Sequence, residues 1–422
     1  MMATEGPFLA AIIARLPDPT VNLAAYGVAF ALAILIEAPV IMLMSASTSL
    51  VRDRVTYLKL RNFARFLGVA TTGLLLAVLI PSVYRWLTGT VLGLPPEVAD
   101  LTYGALWFFL PWPAAIAYRR FLQGVLIRAG KTRLVAWGTL IRLFGMVIAA
   151  LAGFFVLDLP GAWVGGLALG TGVTVEAIAA RFMAASSVRD LLEGKGDLEA
   201  RGRNVTYRDI AKFYFPLALT SFIGLSIQPL LTFFMGRSIA PLESLAVFPV
   251  VHALSFFFRS MGLALQDTAI ALMGERFTHL PELKKFALGL GLATSTGLAL
   301  VAFTPLSRLW FETVSGLTSE LASFALTPTQ VIVPLPFLAV LLSLQRAILV
   351  EGRKTHYITV ASALEVGCVA VLFILLGFRL DLVGATAAFG AFMGARLVSV
   401  SYLLVRCRSV LRDTPASTPR GA

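Results

Sequence analysis

Cysteine is nearly absent: the 422-residue chain holds two, Cys368 and Cys407. One falls within an apolar stretch and the other at a basic end, which excludes a disulfide framework and a cysteine metal cluster. Charge is scarce too. Asp, Glu, Lys and Arg make up 14% of the residues, against about 25% in soluble globular chains. Catalytic signatures are missing as well: there is no His-Glu-x-x-His, no G-x-S-x-G and no Cys-x-x-Cys. Gly130-Lys131-Thr132 ends like a phosphate-binding P-loop, but that loop needs four residues between its glycines, and Gly124 and Gly130 enclose five. No catalytic constellation remains, so an enzyme is not expected, and neither is a metal or cofactor. No basic segment precedes the first apolar run, so no cleavable signal peptide is read.

What is present is apolar. Hydrophobic residues reach 58% and the mean hydropathy is +0.84. So much apolar surface cannot all be buried in a water-soluble fold of this length, and lipid becomes the expected solvent. The 35 glycines and 30 phenylalanines suit packed membrane helices. The net charge of +12 does not mark a nucleic-acid partner, because the Lys and Arg sit in short loops between apolar stretches.

Twenty apolar residues make a span. Helices are expected near 1–16, 23–49, 62–87, 99–126, 134–156, 160–187, 209–236, 245–273, 283–311, 322–350, 356–378 and 381–406. The first is too short to cross. Alternate loops carry the basic residues, among them Arg52, Lys59 and Arg65, then Arg128 and Lys131, then Arg201 and Arg208, then Arg276 and Lys284, then Arg353 and Lys354, and the tail Arg406, Arg408 and Arg412. The intervening loops hold Asp18, Glu97, Asp158, Glu243, Glu320 and Asp381 instead. The positive-inside rule puts the basic loops and both termini in the cytoplasm, with the chain crossing the plasma (inner) membrane many times.

The two halves repeat. Leu157-Asp158-Leu159 with Gly161-Ala162 recurs as Leu380-Asp381-Leu382 with Gly384-Ala385, an offset of 223. Pro111 and Pro113 recur as Pro334 and Pro336, and Lys131-Thr132 as Lys354-Thr355, at the same offset. Near the start the offset is 222, as in Leu23-Ala24 with Leu245-Ala246, and Pro81 with Trp86 matches Pro305 with Trp310 at 224. An even number of spans per copy makes the copies parallel. The expected fold is therefore an all-α polytopic membrane protein of two tandem six-helix bundles in parallel pseudo-twofold repeat, with 12 transmembrane helices. The bundles are placed at 1–187 and 209–406, with a cytoplasmic linker at 188–208 and a cytoplasmic tail at 407–422. The second copy's first helix begins near 209, so its counterpart is expected to begin before residue 1. The first helix is accordingly read as incomplete.

Two such bundles resemble the MATE-like multidrug/oligosaccharidyl-lipid/polysaccharide (MOP) superfamily. The local sequence is most similar to the progressive ankylosis (ANK) family. The likeness is carried by Glu5 followed by Leu23-Ala24-x-Tyr26-Gly27, by Pro216-Leu217-Ala218-Leu219 followed by Pro229 and Arg237, by Pro249-Val250-x-His252, and by Gly384-Ala385-Thr386. It implies export of a small organic or phosphate-bearing anion such as pyrophosphate, a nucleotide or citrate. The chain departs from that family by lacking the start of its first helix and a long C-terminal tail.

Ionisable groups inside spans are costly and mark function by default. Glu37 aligns with Arg259 and Arg142 with Glu365 across the repeat. Opposite charges at equivalent depths are expected to face each other across a central cleft, where the arginines attract an anion and the carboxylates take protons or hold the arginines. The structural alternative is ion pairs within a bundle that only neutralise buried charge. Glu176 and Arg396 lie mid-span in the last helix of each copy; Arg181 lies nearer the end and is expected to snorkel, as are Arg15 and Arg237. His252, one turn past Pro249, titrates in the physiological range and suits proton coupling, or else is a packing histidine. Gln266 and Asp267 are read as an interface cap rather than a cation site. Pro111, Pro113, Pro334 and Pro336 break backbone pairing at symmetric positions and are expected to be hinges, or else static bends.

The expected function is a secondary transporter working by alternating access, with membrane lipid around it, a small anionic substrate, H+ or Na+ as coupling ion, and a monomeric state. Two alternatives keep the same fold. A cation-coupled multidrug extruder would expose carboxylates. A lipid-linked precursor flippase would need a large basic cavity. A lipid-acting enzyme would need polar outer loops that this chain does not offer.

Overall fold

The computed structural model describes residues 4–193, 205–273, 277–352 and 354–413. Among them all regular structure is helical, apart from one isolated bridge between Ile239 and Val383. The expected linker falls partly outside the described residues, at 194–204, as do Arg276, Arg353, the side chain of Asp267 and the tail beyond 413. Two compact units form: Met1–Glu5 with Ile12–Phe233, and Gly6–Ala11 with Phe234–Ala422.

In chain order the helices are α1 (Glu5–Ile13), α2 (Pro19–Glu37), α3 (Leu43–Leu50), α4 (Arg54–Val78), α5 (Pro81–Arg85), α6 (Pro96–Phe108), α7 (Trp112–Arg128), α8 (Thr132–Phe155), α9 (Gly161–Met183), α10 (Ala185–Leu192), α11 (Tyr207–Leu225) and α12 (Ile227–Met235). There follow α13 (Pro241–Leu272), α14 (Leu280–Phe303), α15 (Leu306–Arg308), α16 (Ser319–Val331), α17 (Leu335–Glu351), α18 (His356–Phe373) and α19 (Gly384–Asp413). Eight helices among the described residues are long and apolar enough to cross a membrane, or ten if each of two bent pairs is one span. The chain is thus a multi-pass membrane protein.

The duplication is written into the backbone. Asp18 and Ala240 take left-handed φ of 51° and 51°, Asp158 and Asp381 of 47° and 50°, and Gly93 and Gly316 of 65° and 74°. The same turns at the same repeat positions restart the same helices. Even the caps correspond. The amide of Ala162 donates to the Asn22 side chain at 2.9 Å, and that of Ala385 donates to the Ser244 hydroxyl at 3.0 Å. Different residues thus satisfy the same orphan donor at a helix start.

Prolines set the breaks. The helix expected at 62–87 bends by 69° between α4 and the segment from Pro81; Ile80 takes the extended ψ of 124° that a following proline favours. At Pro111 and Pro334 the breaks match. Trp112 donates to Phe109 O and Leu335 to Ile332 O, both at 2.9 Å, and α16 and α17 meet at 41°. One expectation needs correction: 23–49 is not a single helix. Pro39 has no amide hydrogen to continue the ladder, so the chain turns over Ala38–Met42, with Val40 donating to Glu37 O at 2.8 Å. The repeat-equivalent position is Met261, and there α13 runs on unbroken for 32 residues.

That turn also explains why residues 209–233, expected in the second bundle, group with the first unit. Tyr214 of α11 donates its hydroxyl to the Pro39 carbonyl and packs edge-on against Phe63 of α4 at 5.2 Å. The Pro39 carbonyl in that turn accepts from α11.

Small residues bring helices close where there is no hydrophobic drive between them. On α9 a Cβ at Gly166 would come within 2.8 Å of Ala105 O, and one at Gly170 would strike Phe108 O. Both obstacles are backbone. Gly170→Ala is therefore expected to lower unfolding stability by about 1–3 kcal/mol, read as thermal unfolding of the solubilised protein. Gly73→Ala on α4, whose Cβ would meet nothing, is expected to leave stability unchanged or slightly raised.

Candidate functional site

Buried charge collects at one place in each unit. In unit 1 the centre is Glu176 on α9, fully buried. Arg119 and Gln123 lie one turn apart on α7 and both reach it. The Arg119 guanidinium donates to one carboxylate oxygen and the Gln123 amide to the other at 3.1 Å. Gly138 on α8 leaves the room, since its Cβ would already sit 3.5 Å from that carboxylate. From α8, Arg142 brings Nη1 to 4.0 Å of Glu176 and pairs through Nη2 with Glu5. Two arginines thus face two glutamates, and the network is neutral. Glu37 lies at its edge, within electrostatic reach of Arg119, Arg120 and Arg142. Placed at the end of α2 by the Pro39 turn, it accepts from the Trp112 indole, and no cation lies within ion-pair distance of it among the described residues.

Unit 2 has a different balance. Glu365 on α18 pairs with Arg396 on α19 at 2.8 Å. Arg259 on α13 is buried to 9% exposure and has no carboxylate within ion-pair distance among the described residues. Its Nη2 lies 3.5 Å from His252 Nε2, and its guanidinium sits over Phe256 at 5.8 Å and Phe392 at 5.4 Å. Arg396 lies over the same Phe392 ring at 5.2 Å. Arg346 on α17 keeps a buried Nε without a hydrogen-bond partner among the described residues. Both Arg259 and Arg346 sit within electrostatic reach of Arg396 and Glu365. Of these three guanidiniums only that of Arg396 pairs with the carboxylate. Aromatic faces replace the missing counter-charges, at roughly 0.5–2 kcal/mol each.

The repeat explains the contrast. Gln123 corresponds to Arg346, Glu176 to Ser399, Glu37 to Arg259 and Arg142 to Glu365. Duplication kept the scaffold, while substitution moved the charge toward positive in one copy.

Glu37, Arg142, Glu176, His252, Arg259, Glu365 and Arg396 are all buried or half-buried inside helices, whereas Pro111 and Pro334 are exposed in turns between helices, and the pairing of the charges differs from the expectation. Glu37 and Arg259, and Arg142 and Glu365, were expected to face each other. Glu37 instead meets Trp112, Arg142 meets Glu5 and Glu176, Arg259 meets His252, and Glu365 meets Arg396. Each finds these partners inside its own unit. Arg15, Arg181 and Arg237 are exposed. Trp112, Arg119, Gln123 and Arg346 were not anticipated. The i, i+4 spacing of Arg119 and Gln123 within an apolar stretch was the available signal; Arg346, near the end of its helix, reads like a loop cation. No group of three His, Cys, Asp or Glu suited to a metal ion occurs among the described residues.

No known family profile matches the chain, and no curated protein does. Solved structures do. An inward-facing multidrug resistance MATE family transporter of the MOP superfamily superposes with TM-score 0.74 at 16% identity, covering 97% of this chain and 96% of that one. The lipid II flippase MurJ, in an inward closed conformation, gives 0.71 at 16% identity, covering 96% of this chain and 85% of that one. A MOP superfamily transporter from Pyrococcus furiosus, described by a binding pocket of reverse polarity that suggests a different function, gives 0.60 at 12% identity over 98% and 96%. At these identities the likeness is one of architecture, and the fold is that of the MATE-like MOP transporters.

Proposed function

We propose that this protein is a secondary transporter that moves a small polyvalent anion across the plasma (inner) membrane by alternating access. The observation that carries the reading is the charge balance inside unit 2, where Glu365 pairs with Arg396 while Arg259 and Arg346 have no carboxylate within ion-pair distance among the described residues. Buried cations without counter-charges are expensive in a membrane and persist where they serve a ligand. A phosphate-bearing or carboxylate anion supplies the missing negative charge, and guanidiniums suit it through planar, two-toothed hydrogen bonding. The resemblance to the progressive ankylosis family points to pyrophosphate, nucleotide or citrate-like cargo. The reversed pocket polarity described for the Pyrococcus furiosus protein is a precedent for a change of pocket charge on this fold.

The remaining parts follow. Glu37, with a single indole partner, is assigned the coupling H+ or Na+. The paired breaks at Pro111/Pro113 and Pro334/Pro336 act as hinges. Both termini face the cytoplasm and the working state is a monomer. Catalysis plays no part. The second reading, a multidrug extruder, is favoured by the first-named structural likeness but needs buried carboxylates in excess, and unit 2 has the opposite.

Purified protein in liposomes should move labelled pyrophosphate, citrate or ATP down an imposed gradient and leave an ethidium-like cation behind. Movement of the cation with none of the anions would overturn the proposal and make the protein a multidrug extruder.

A further inference from the structure

One basic group outside the buried clusters is held in an unusual way. Arg406, near the end of α19, lies 5.0 Å from the ring centre of Tyr357 and 5.2 Å from that of Tyr402. The two rings meet edge-on at 6.5 Å. Its Nε is buried without a hydrogen-bond partner, and no carboxylate lies within ion-pair distance of it among the described residues. The charge is therefore held by two ring faces, with no carboxylate beside it among the described residues. Lys354 and Arg408, both exposed, add positive charge at the same end of α18 and α19.

Below this basic end the same two packed helices turn apolar. On α18, Val360, Leu364 and Val371 follow Tyr357 at helical spacing and are 42%, 39% and 66% exposed. Between them a Cβ at Gly367 would meet nothing. On α19, Val398 and Val405 flank Tyr402 and are also exposed. An anion-seeking pole rimmed by tyrosines, continuous with an open apolar stripe, matches the two ends of one molecule. Tyrosine belongs at the lipid headgroup level, and juxtamembrane cations attract anionic headgroups.

We infer that the Tyr357–Arg406–Tyr402 clamp, with the α18/α19 stripe, is a binding site for an anionic phospholipid, its phosphate on Arg406 and its acyl chain along Val360 and Leu364. A headgroup phosphate and a free phosphate ion share the chemistry; the apolar stripe argues for the lipid.

The test is lipid retention by the full-length protein in mild detergent, read by native mass spectrometry with phosphatidylglycerol, phosphatidylcholine and inorganic phosphate as probes. Phosphatidylglycerol should be retained in preference to phosphatidylcholine. Arg406→Gln should weaken that retention about fivefold, the effect of one interfacial charge, and Tyr357→Ala/Tyr402→Ala comparably. Arg406→Lys, which keeps the charge, and Lys285→Gln on α14 should change it little. Retention of the two lipids to the same extent, or loss of preference in Lys285→Gln equal to that in Arg406→Gln, overturns the site. Displacement of the lipid by micromolar inorganic phosphate overturns the lipid assignment in favour of a free anion. Should Arg406→Gln fail to fold, the comparison of Tyr402→Phe with Tyr402→Ala replaces it, with retention expected only in the former.

Discussion

Glu176→Ala is expected to be the most damaging single substitution in the chain, lowering the stability of unit 1 by about 3–5 kcal/mol, the range for removing one partner of a buried ion pair. Arg119, Gln123 and Arg142 converge on that carboxylate from two helices. Without it, Arg119 is a guanidinium of 2% exposure with no counter-charge, while Arg142 keeps Glu5. Glu176→Gln retains an acceptor but loses the charge, and should fall between alanine and wild type. Glu5→Gln should cost less than Glu176→Ala, because Arg142 remains 4.0 Å from Glu176. The measurement is thermal unfolding in nanodiscs, with anion flux normalised to folded protein. A shift for Glu176→Ala no larger than that for an exposed control would show that water reaches the cluster and that the network does not hold the fold.

Arg259→Gln is expected to do the reverse: abolish most anion flux while leaving stability unchanged or raised. The loss should exceed tenfold, since a hydrogen bond to a charged group contributes about 1.5–3 kcal/mol. Stability should not fall, because the substitution removes a buried cation that has no carboxylate partner and replaces it with a neutral group beside His252, Phe256 and Phe392. Glu365→Gln supplies the contrast. It leaves three guanidiniums with no carboxylate and should destabilise unit 2, and adding citrate or pyrophosphate should restore part of the loss through binding to the folded state. Paired measurements of flux and unfolding separate the roles. If Arg259→Gln destabilises the protein as Glu176→Ala does, and its flux falls only in step with folded protein, the arginine is structural and the anion proposal fails.

The sequence alone carried much of this. Spans followed from apolar run length, and the duplication from an offset that drifts by two residues between 222 and 224. The bends at Pro111 and Pro334 were legible because proline has no amide to donate whatever surrounds it; the one at Pro81 was not read, the apolar run 62–87 being taken as one helix. The same rule applies at Pro39, but there the apolar residues on both sides led to a single expected helix over 23–49. Pro249 shows why the rule does not settle every case: α13 passes through it intact. Likewise the ionisable residues inside the spans could be named from position alone, because burial in lipid follows from hydropathy.

Which charge meets which could not be named. Glu5 and Arg142 are 137 residues apart, and Arg119 and Glu176 57. Helical periodicity fixes which residues share a face, but not the rotation of one helix against another. The repeat suggested that equivalent positions would pair, and tertiary packing instead joined residues the repeat does not relate. It also drew Arg346 from a helix end into the unit 2 cluster. Composition and periodicity determined the solvent, the helices and their doubling, since these depend on each residue's own chemistry and its near neighbours. Side-chain partners, and with them the excess of positive charge in unit 2, were decided only when helices distant in sequence packed, because an ion pair depends on distances of a few ångströms that no linear pattern encodes.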